Sequence, residues 1–418
     1  MTGPFRVRSF RFQWPADLLT SWATEMETLI LGWYVMVDSG SVLMLTAFGS
    51  LQSLGTLASP VFGMLGDRLG VRTMLCTMRA AYVLLAAAVT ALAAWDWLTP
   101  VWVLAIATLT GIVRPNDLVM RNALIGETIP PPQQMGALGF SRASQDSARV
   151  AGALAGAGLS AALGIGTAYV FVTLFYAASF ALTFGVARSR PAPDPTRAAR
   201  GAEARPSPYR DVKDGLVHVA TTPALLAAML LAFLINISAY PVTSGLLPYV
   251  AREVYTVDST GLGWLVASFG LGALAGSIVI VATGGPRRPE RAMIVYAALW
   301  YALLLGFGAA RDVRVGLALM LVIGFVQSIA MISLMATMLA AAEARFRTRV
   351  MGARQLAVYG MPLGLMAAGV LIGRMGWAAT VGMYCAVGLV FTLAIGLRWR
   401  GSLGPARRAL TPSTSRTA

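Results

Sequence analysis

The feature that most constrains this chain is a succession of long apolar runs separated by short clusters of charge, glycine and proline. Many of the runs extend for about 18 residues or more, close to the roughly 20 that an α-helix needs to cross a ~30 Å hydrocarbon core. Backbone polar groups find no water inside a bilayer, so only helices and closed barrels can span it. A barrel strand would alternate apolar and polar residues, and these runs do not. Of 418 residues 57% are hydrophobic and 12% charged, against about half and a quarter in soluble domains. The sequence therefore predicts an all-α membrane protein. Twelve transmembrane helices are expected, at about 17–37, 41–65, 73–95, 99–123, 136–162, 166–187, 223–250, 260–283, 292–310, 315–340, 350–373 and 377–398.

An even number of spans puts both termini on one side of the bilayer. With that side cytoplasmic, 23 arginines and lysines fall inside and four outside (Arg252, Arg311, Arg314 and Arg374), leaving apart six arginines within helices. This is the distribution the positive-inside rule requires. The net charge of +15 is thus spent on membrane orientation, and no nucleic-acid partner is expected. Cys76 and Cys385 lie in separate apolar runs, which leaves neither a disulfide framework nor a CxxC metal site. The N-terminal MTGPFRVRSFRFQWP lacks a short apolar core ending in a small-residue cleavage site, so the first span is expected to be retained.

The longest polar interruption begins RSRPAPDPTRAARG at Arg188 and divides the chain into two six-span halves. The expected organisation is a bundle at 1–187, a cytoplasmic linker with a short surface helix at 188–222, a second bundle at 223–400 and a disordered tail at 401–418. Met135-Gly136-Ala137 and Met351-Gly352-Ala353 open spans five and eleven, equivalent places in the two halves. Internal repeats of this kind belong to transporters.

Between spans two and three lies GMLGDRLGVRTML, residues 63–75. Its glycines permit a sharp turn and close helix approach. Asp67 and Arg72 can meet opposite charges or a helix end, forming either a conformational latch or a simple cytoplasmic anchor. Gly63, Asp67, Arg68, Gly70 and Arg72 fit GxxxDRxGxR, the loop signature of the major facilitator superfamily, which the chain resembles over residues 14–400. Within that family SWATEMETLILGWYVMVDSGS, YRDVKDGLVHVATTPALLAAMLLAFLIN, LPYVAREVYTVDSTGLGWLVASFGLGALAG and RTRVMGARQLAVYGMPLGLMAAGVLIG are similar to the branch of enterobactin exporters and drug or secretion effectors. The resemblance implies two pseudo-symmetric six-helix bundles in a bacterial-type inner membrane. It also implies that Asp67 caps span eleven and pairs with arginine to lock the outward-facing state. One departure concerns span five, where Gly152 is followed by Ala153 in place of the proline common in antiporters. Gly152 and Gly156 still form a GxxxG packing face.

A charge at membrane depth costs about 2.5–3.5 kcal/mol on insertion scales, so each needs a reason. On span one Asp17, Ser21, Thr24 and Thr28 form one polar stripe, expected to face a watery cavity. Glu25 and Glu27 flank the stripe at a depth of roughly 12–15 Å. Glu25, Glu27 and Asp17 are the proton-coupling candidates, Glu25 preferred over Glu27; the alternative is pairing with a nearby arginine. Spans four and five carry Arg114, Asp117, Arg121 and Arg142, Asp146, Arg149, each set spaced to pair within its own helix. This network serves as structural glue, or Arg114 holds an anionic substrate. Neutral cavity candidates are Thr24, Thr28, Trp33, Asn236, Tyr240, Gln327, Gln355 and Tyr359.

These features predict a monomeric secondary transporter in the lipid bilayer that exports a small amphipathic molecule in exchange for protons. An importer or uniporter on the same fold is the alternative. A membrane-embedded enzyme or a transport-inactive sensor is a more distant one: no GxxxxGK[ST] loop, paired acid/base cluster or metal set is evident, and no cofactor is implied.

Overall fold

A computed structural model of the chain describes residues 4–56, 62, 65–66, 68–187, 217–342, 350, 354 and 356–400. Gly63, Asp67 and Gln355, most of the linker and the tail lie outside the described residues. The regular elements among the described residues are all helical. In the first half they are α1 (Arg8–Ser39), α2 (Val42–Leu51), α3 (Val71–Ala94), α4 (Pro100–Thr128) and α5 (Pro131–Thr183). The second half holds α6 (Pro223–Ser238), α7 (Ser259–Thr283), α8 (Pro289–Ala309), α9 (Val313–Ala341), α10 (Gly360–Met375) and α11 (Trp377–Arg398). A wider, π-helical stretch, Pro241–Gly245, continues α6.

Local chemistry sets the boundaries. Proline opens α4, α5, α6 and α8, where its missing N–H costs nothing. Asp258 and Asp312 cap α7 and α9 by accepting from the N–H groups of Gly261 (2.9 Å) and Arg314 (2.7 Å). The long element α5 is two helices joined at Gly164, whose φ of +77° only glycine adopts without strain.

Nine helices among the described residues are long and apolar enough to cross a membrane, fewer than the twelve expected. The difference has three local origins. The acids of α1 lower its hydropathy, α2 runs into residues outside the description, and spans five and six form one element, Gly136–Thr183.

The distribution of residues is inverted relative to a soluble protein. Leu84, Val281, Leu363 and Val390 are exposed, whereas Asp17, Glu27, Arg79, Asp117 and Arg121 are buried. Such an exterior suits lipid, and exposed Trp95, Trp97 and Trp102 at the junction of α3 and α4 suit its interface.

Close helix packing repeats between the halves. A Cβ on Gly152 or Gly156 would stand 3.0 Å from Glu25 Cβ or Met26 Cα of α1. Gly360 brings α10 equally close to the α6 backbone at Phe233, and Gly364 closer still at Ile237. The same correspondence holds for Gly55 and Gly111 between the α2 segment and α4, and for Gly272 and Gly324 between α7 and α9. Between the halves, α5 packs on α7 and α2 on α10. At the end of the molecule holding the α1–α2 turn, Arg252 donates to the Met36 carbonyl and Thr46 meets Gly369, while at the other end of α2 Ser50 donates to the Pro362 carbonyl at 3.0 Å. The α1–α2 end is drawn together across the halves.

Candidate functional site: a charged cavity on α1, α4 and α5

The polar residues of α1 face three neighbours. Nearest the start of α1, Asp17 takes an ion pair and hydrogen bond from Arg79 of α3, with Arg121 Nε of α4 at 3.7 Å and Gln13 Nε2 at 3.4 Å. Arg79 also donates to Thr183, and Arg121 pairs with Asp117 and donates to Ser21 at 3.0 Å. Asp17 is only 4% exposed, so it lies inside a wall and not in the watery stripe expected of it.

About three turns further along α1, Glu27 accepts from Arg114 of α4 at 3.1 Å and from the Tyr176 hydroxyl of α5 at 2.5 Å. Arg114 also donates to Thr28 at 2.9 Å and to Gln52, and Tyr82 stacks on Tyr176 with ring centroids 5.2 Å apart. The expected pairing of Arg114 along its own helix is therefore corrected: Arg121 has taken Asp117, and Arg114 turns to α1. Arg142 and Asp146 do pair along α5, at 3.4 Å, with Arg142 largely exposed.

Beside this network lies a cavity of about 380 Å³. Its wall includes Ser21, Thr24 and Glu25 of α1, Gln52, Tyr82, Arg114, Asp117 and Arg121, then Arg142, Asp146 and Arg149 of α5, and Val358 from the second half. A roomier cleft of about 490 Å³ lies at the drawn-together end, between Trp33, Tyr34, Gly164 and Ser259, but among the described residues in its wall Asp96 alone is charged. Among the described residues, most of the charged side chains singled out in the sequence collect around the smaller cavity, whose size suits a small molecule.

The sequence model of the Major Facilitator Superfamily matches residues 16–359. The chain belongs to that superfamily. No curated protein matches it. Among solved structures, the D-xylose–proton symporter superposes with a TM-score of 0.70 at 13% identity, covering 92% of this chain and 96% of that one. The human organic anion transporter MFSD10 (TETRAN) gives 0.64 at 16%, with 94% and 100% covered. A bacterial homolog of the human lysosomal transporter Spinster, in an inward-facing and unoccupied conformation, gives 0.69 at 13%, with 96% and 98% covered. At such identities the likeness is one of fold. Family and fold make this a multi-pass membrane transporter rather than an enzyme.

In this superfamily member the remaining predicted residues fall in several places. Gly70 opens α3 at φ +84°, Arg72 donates to the Phe184 carbonyl at 2.7 Å, and Arg68 precedes them in a helical turn. Thr24 lines the charged cavity, Thr28 is engaged by Arg114, and Trp33 belongs to the other cleft. Asn236 donates to the Ala232 carbonyl of its own helix at 2.8 Å, and Gln327 donates to the Tyr240 hydroxyl at 2.9 Å. Tyr359, half-buried, immediately precedes α10 without a side-chain capping bond. The contact from α9 to the end of α6 made by Gln327 and Tyr240 mirrors that from α4 to α1 made by Arg114 and Glu27, with neutral groups in place of charges. Sequence reasoning assigned no role to Arg79, Gln52 or Tyr176. A lone arginine in the apolar run of span three was the available signal for Arg79.

Proposed function

We propose that this chain is a proton-coupled secondary transporter that exports a small amphipathic molecule, such as a siderophore, a drug or another secondary metabolite. Two six-helix bundles, 1–187 and 223–400, twelve spans in all, rock about the charged cavity. The arginine distribution supports placing both termini in the cytoplasm of a bacterial-type cell, with the chain in the inner membrane. The observation that carries the reading is Glu25. Asp17 and Glu27 are engaged by arginine, whereas Glu25 lies in the cavity wall with no ion pair among the described residues. A carboxyl group free to load and release a proton at the substrate site is the minimum that coupling requires.

The contacts at the α1–α2 turn support a state closed on that side, with release of the closure as the outward-opening step. Asp67 acts as the opposing cytoplasmic latch, and loss of its charge slows turnover. Import on the same fold is the second reading, favoured by Ala153 where antiporters of this type commonly have proline. Flux in vesicles under an imposed pH gradient tests both. Wild-type protein should move its substrate uphill in exchange for protons, whereas Glu25→Gln should equilibrate substrate without accumulating it. Accumulation by Glu25→Gln at the wild-type level would overturn the carrier assignment, and uphill movement only toward the cytoplasm would establish import.

A further inference from the structure

The charges around the cavity can be balanced pair by pair. Arg79 meets Asp17, Arg114 meets Glu27 at 3.1 Å, Arg121 meets Asp117, and Arg142 meets Asp146 at 3.4 Å. Among the described residues that line the cavity, two charges of opposite sign are left. Neither Glu25 nor Arg149 makes an ion pair or hydrogen bond among the described residues, and both line the same cavity.

Their placement is tight. Glu25 Cβ lies against Gly152 of α5, where a Cβ would come within 3.0 Å of it. Arg149 is one turn earlier on α5, and its Cγ lies 3.7 Å from where a Cβ on Gly270 of α7 would stand, so its stem runs along the contact between the halves. Glu25 lies within the field of Arg114 without pairing to it. The wall also holds unused hydrogen-bonding capacity of both kinds: Asp117 Oδ1, Arg114 Nε and Arg121 Nε are buried without hydrogen-bond partners.

We infer that the cavity takes a zwitterionic small molecule, with an anionic group on Arg149 and an ammonium group on Glu25. An uncompensated charge in a membrane-embedded cavity is costly. A purely anionic ligand satisfies Arg149 and strands Glu25, a purely cationic one does the reverse, and a neutral one strands both. A zwitterion closes the last pair through itself. The inference rests on the proposed function in taking this cavity as the substrate site. It also supplies an exchange step, because a proton and an ammonium group compete for the Glu25 carboxylate.

The test uses three fluorescent probes that share a fluorophore and a similar chain: Nε-dansyl-lysine (zwitterion), dansylcadaverine (cation) and dansyl-aminohexanoate (anion). Binding to purified protein in lipid nanodiscs is read from dansyl emission. Dansyl-lysine should bind about tenfold or more tighter than either partner probe, the effect of one charge-assisted contact. Arg149→Gln should remove its advantage over dansylcadaverine, Arg149→Lys should keep most of it, and Glu25→Gln should remove its advantage over dansyl-aminohexanoate. Each variant is first shown monodisperse by size exclusion. Equal affinity for the three probes, no binding of dansyl-lysine, or an advantage that survives both glutamine variants would overturn the inference. The readout needs no gradient, so its failure and a failure of proton-driven flux are separate results.

Discussion

Replacing Arg79 with methionine tests whether the buried polar wall holds the first half together. Arg79 is 1% exposed and its guanidinium serves Asp17 and Thr183 together. Removing one member of a buried ion pair costs about 3–5 kcal/mol, because the other charge is left in a medium that cannot solvate it. Asp17 would keep Arg121 Nε at 3.7 Å and Gln13 at 3.4 Å. The lower end of the range, about 3 kcal/mol, is therefore expected. Adding Asp17→Leu removes the stranded carboxylate and leaves few orphans. Arg121 retains Asp117, Gln13 still donates to the Arg121 carbonyl at 3.0 Å, and Thr183 still donates to that of Ser179 at 2.7 Å. The double variant should thus lose only about 1–2 kcal/mol, less than Arg79→Met alone. Unfolding of the purified protein by SDS in mixed micelles, followed by far-UV circular dichroism, gives the comparison. A loss below about 1 kcal/mol in the single variant, the range of an exposed pair, would refute the reasoning. So would a double variant less stable than the single one.

Three further outcomes follow from the same geometry. Gly156→Leu places a side chain against the Met26 backbone and should destabilise by about 3 kcal/mol or abolish folding, whereas Gly158→Leu, with nothing within 4 Å of its Cβ, should behave as wild type in the same titration. Arg252→Gln weakens the contact with the Met36 carbonyl, so a cysteine at Thr46, buried against Gly369, should react several-fold faster with an impermeant maleimide in a background lacking Cys76 and Cys385. Glu27→Gln leaves Arg114 short of its carboxylate and should cost about 3 kcal/mol of stability, yet the pH profile of transport should keep its wild-type shape, unlike that of Glu25→Gln.

What the sequence made legible was whatever depends on one helix at a time. Run length marked most membrane-crossing segments, and the expected break between spans five and six falls at Gly164, where a positive φ ends one helix and starts the next. Gly152 and Gly156 announced a close approach without saying to what; α1 proved to be the neighbour. Pairing between helices was not legible. Spacing offered Arg114 to Asp117 as readily as Arg121, and only the position of α1 beside α4 decides that Glu27 takes Arg114. Asp17 shares a stripe with Ser21 and Thr24, but Arg79 of α3 covers it, so one stripe contains both a structural group and cavity-lining ones. A helical wheel gives direction and leaves the neighbour unspecified.

In the proposed mechanism two bundles exchange access to the cavity in response to the protonation of Glu25. The most direct measurement places spin labels at the exposed positions Asp38 and Arg311, on opposite halves near the drawn-together end, and records their distance distribution in nanodiscs by pulsed electron resonance across a pH series. Wild type should show two distances whose populations shift with pH, and Glu25→Gln a ratio that no longer responds to pH. A single distance at every pH, or a Glu25→Gln variant that shifts as wild type does, would contradict this mechanism.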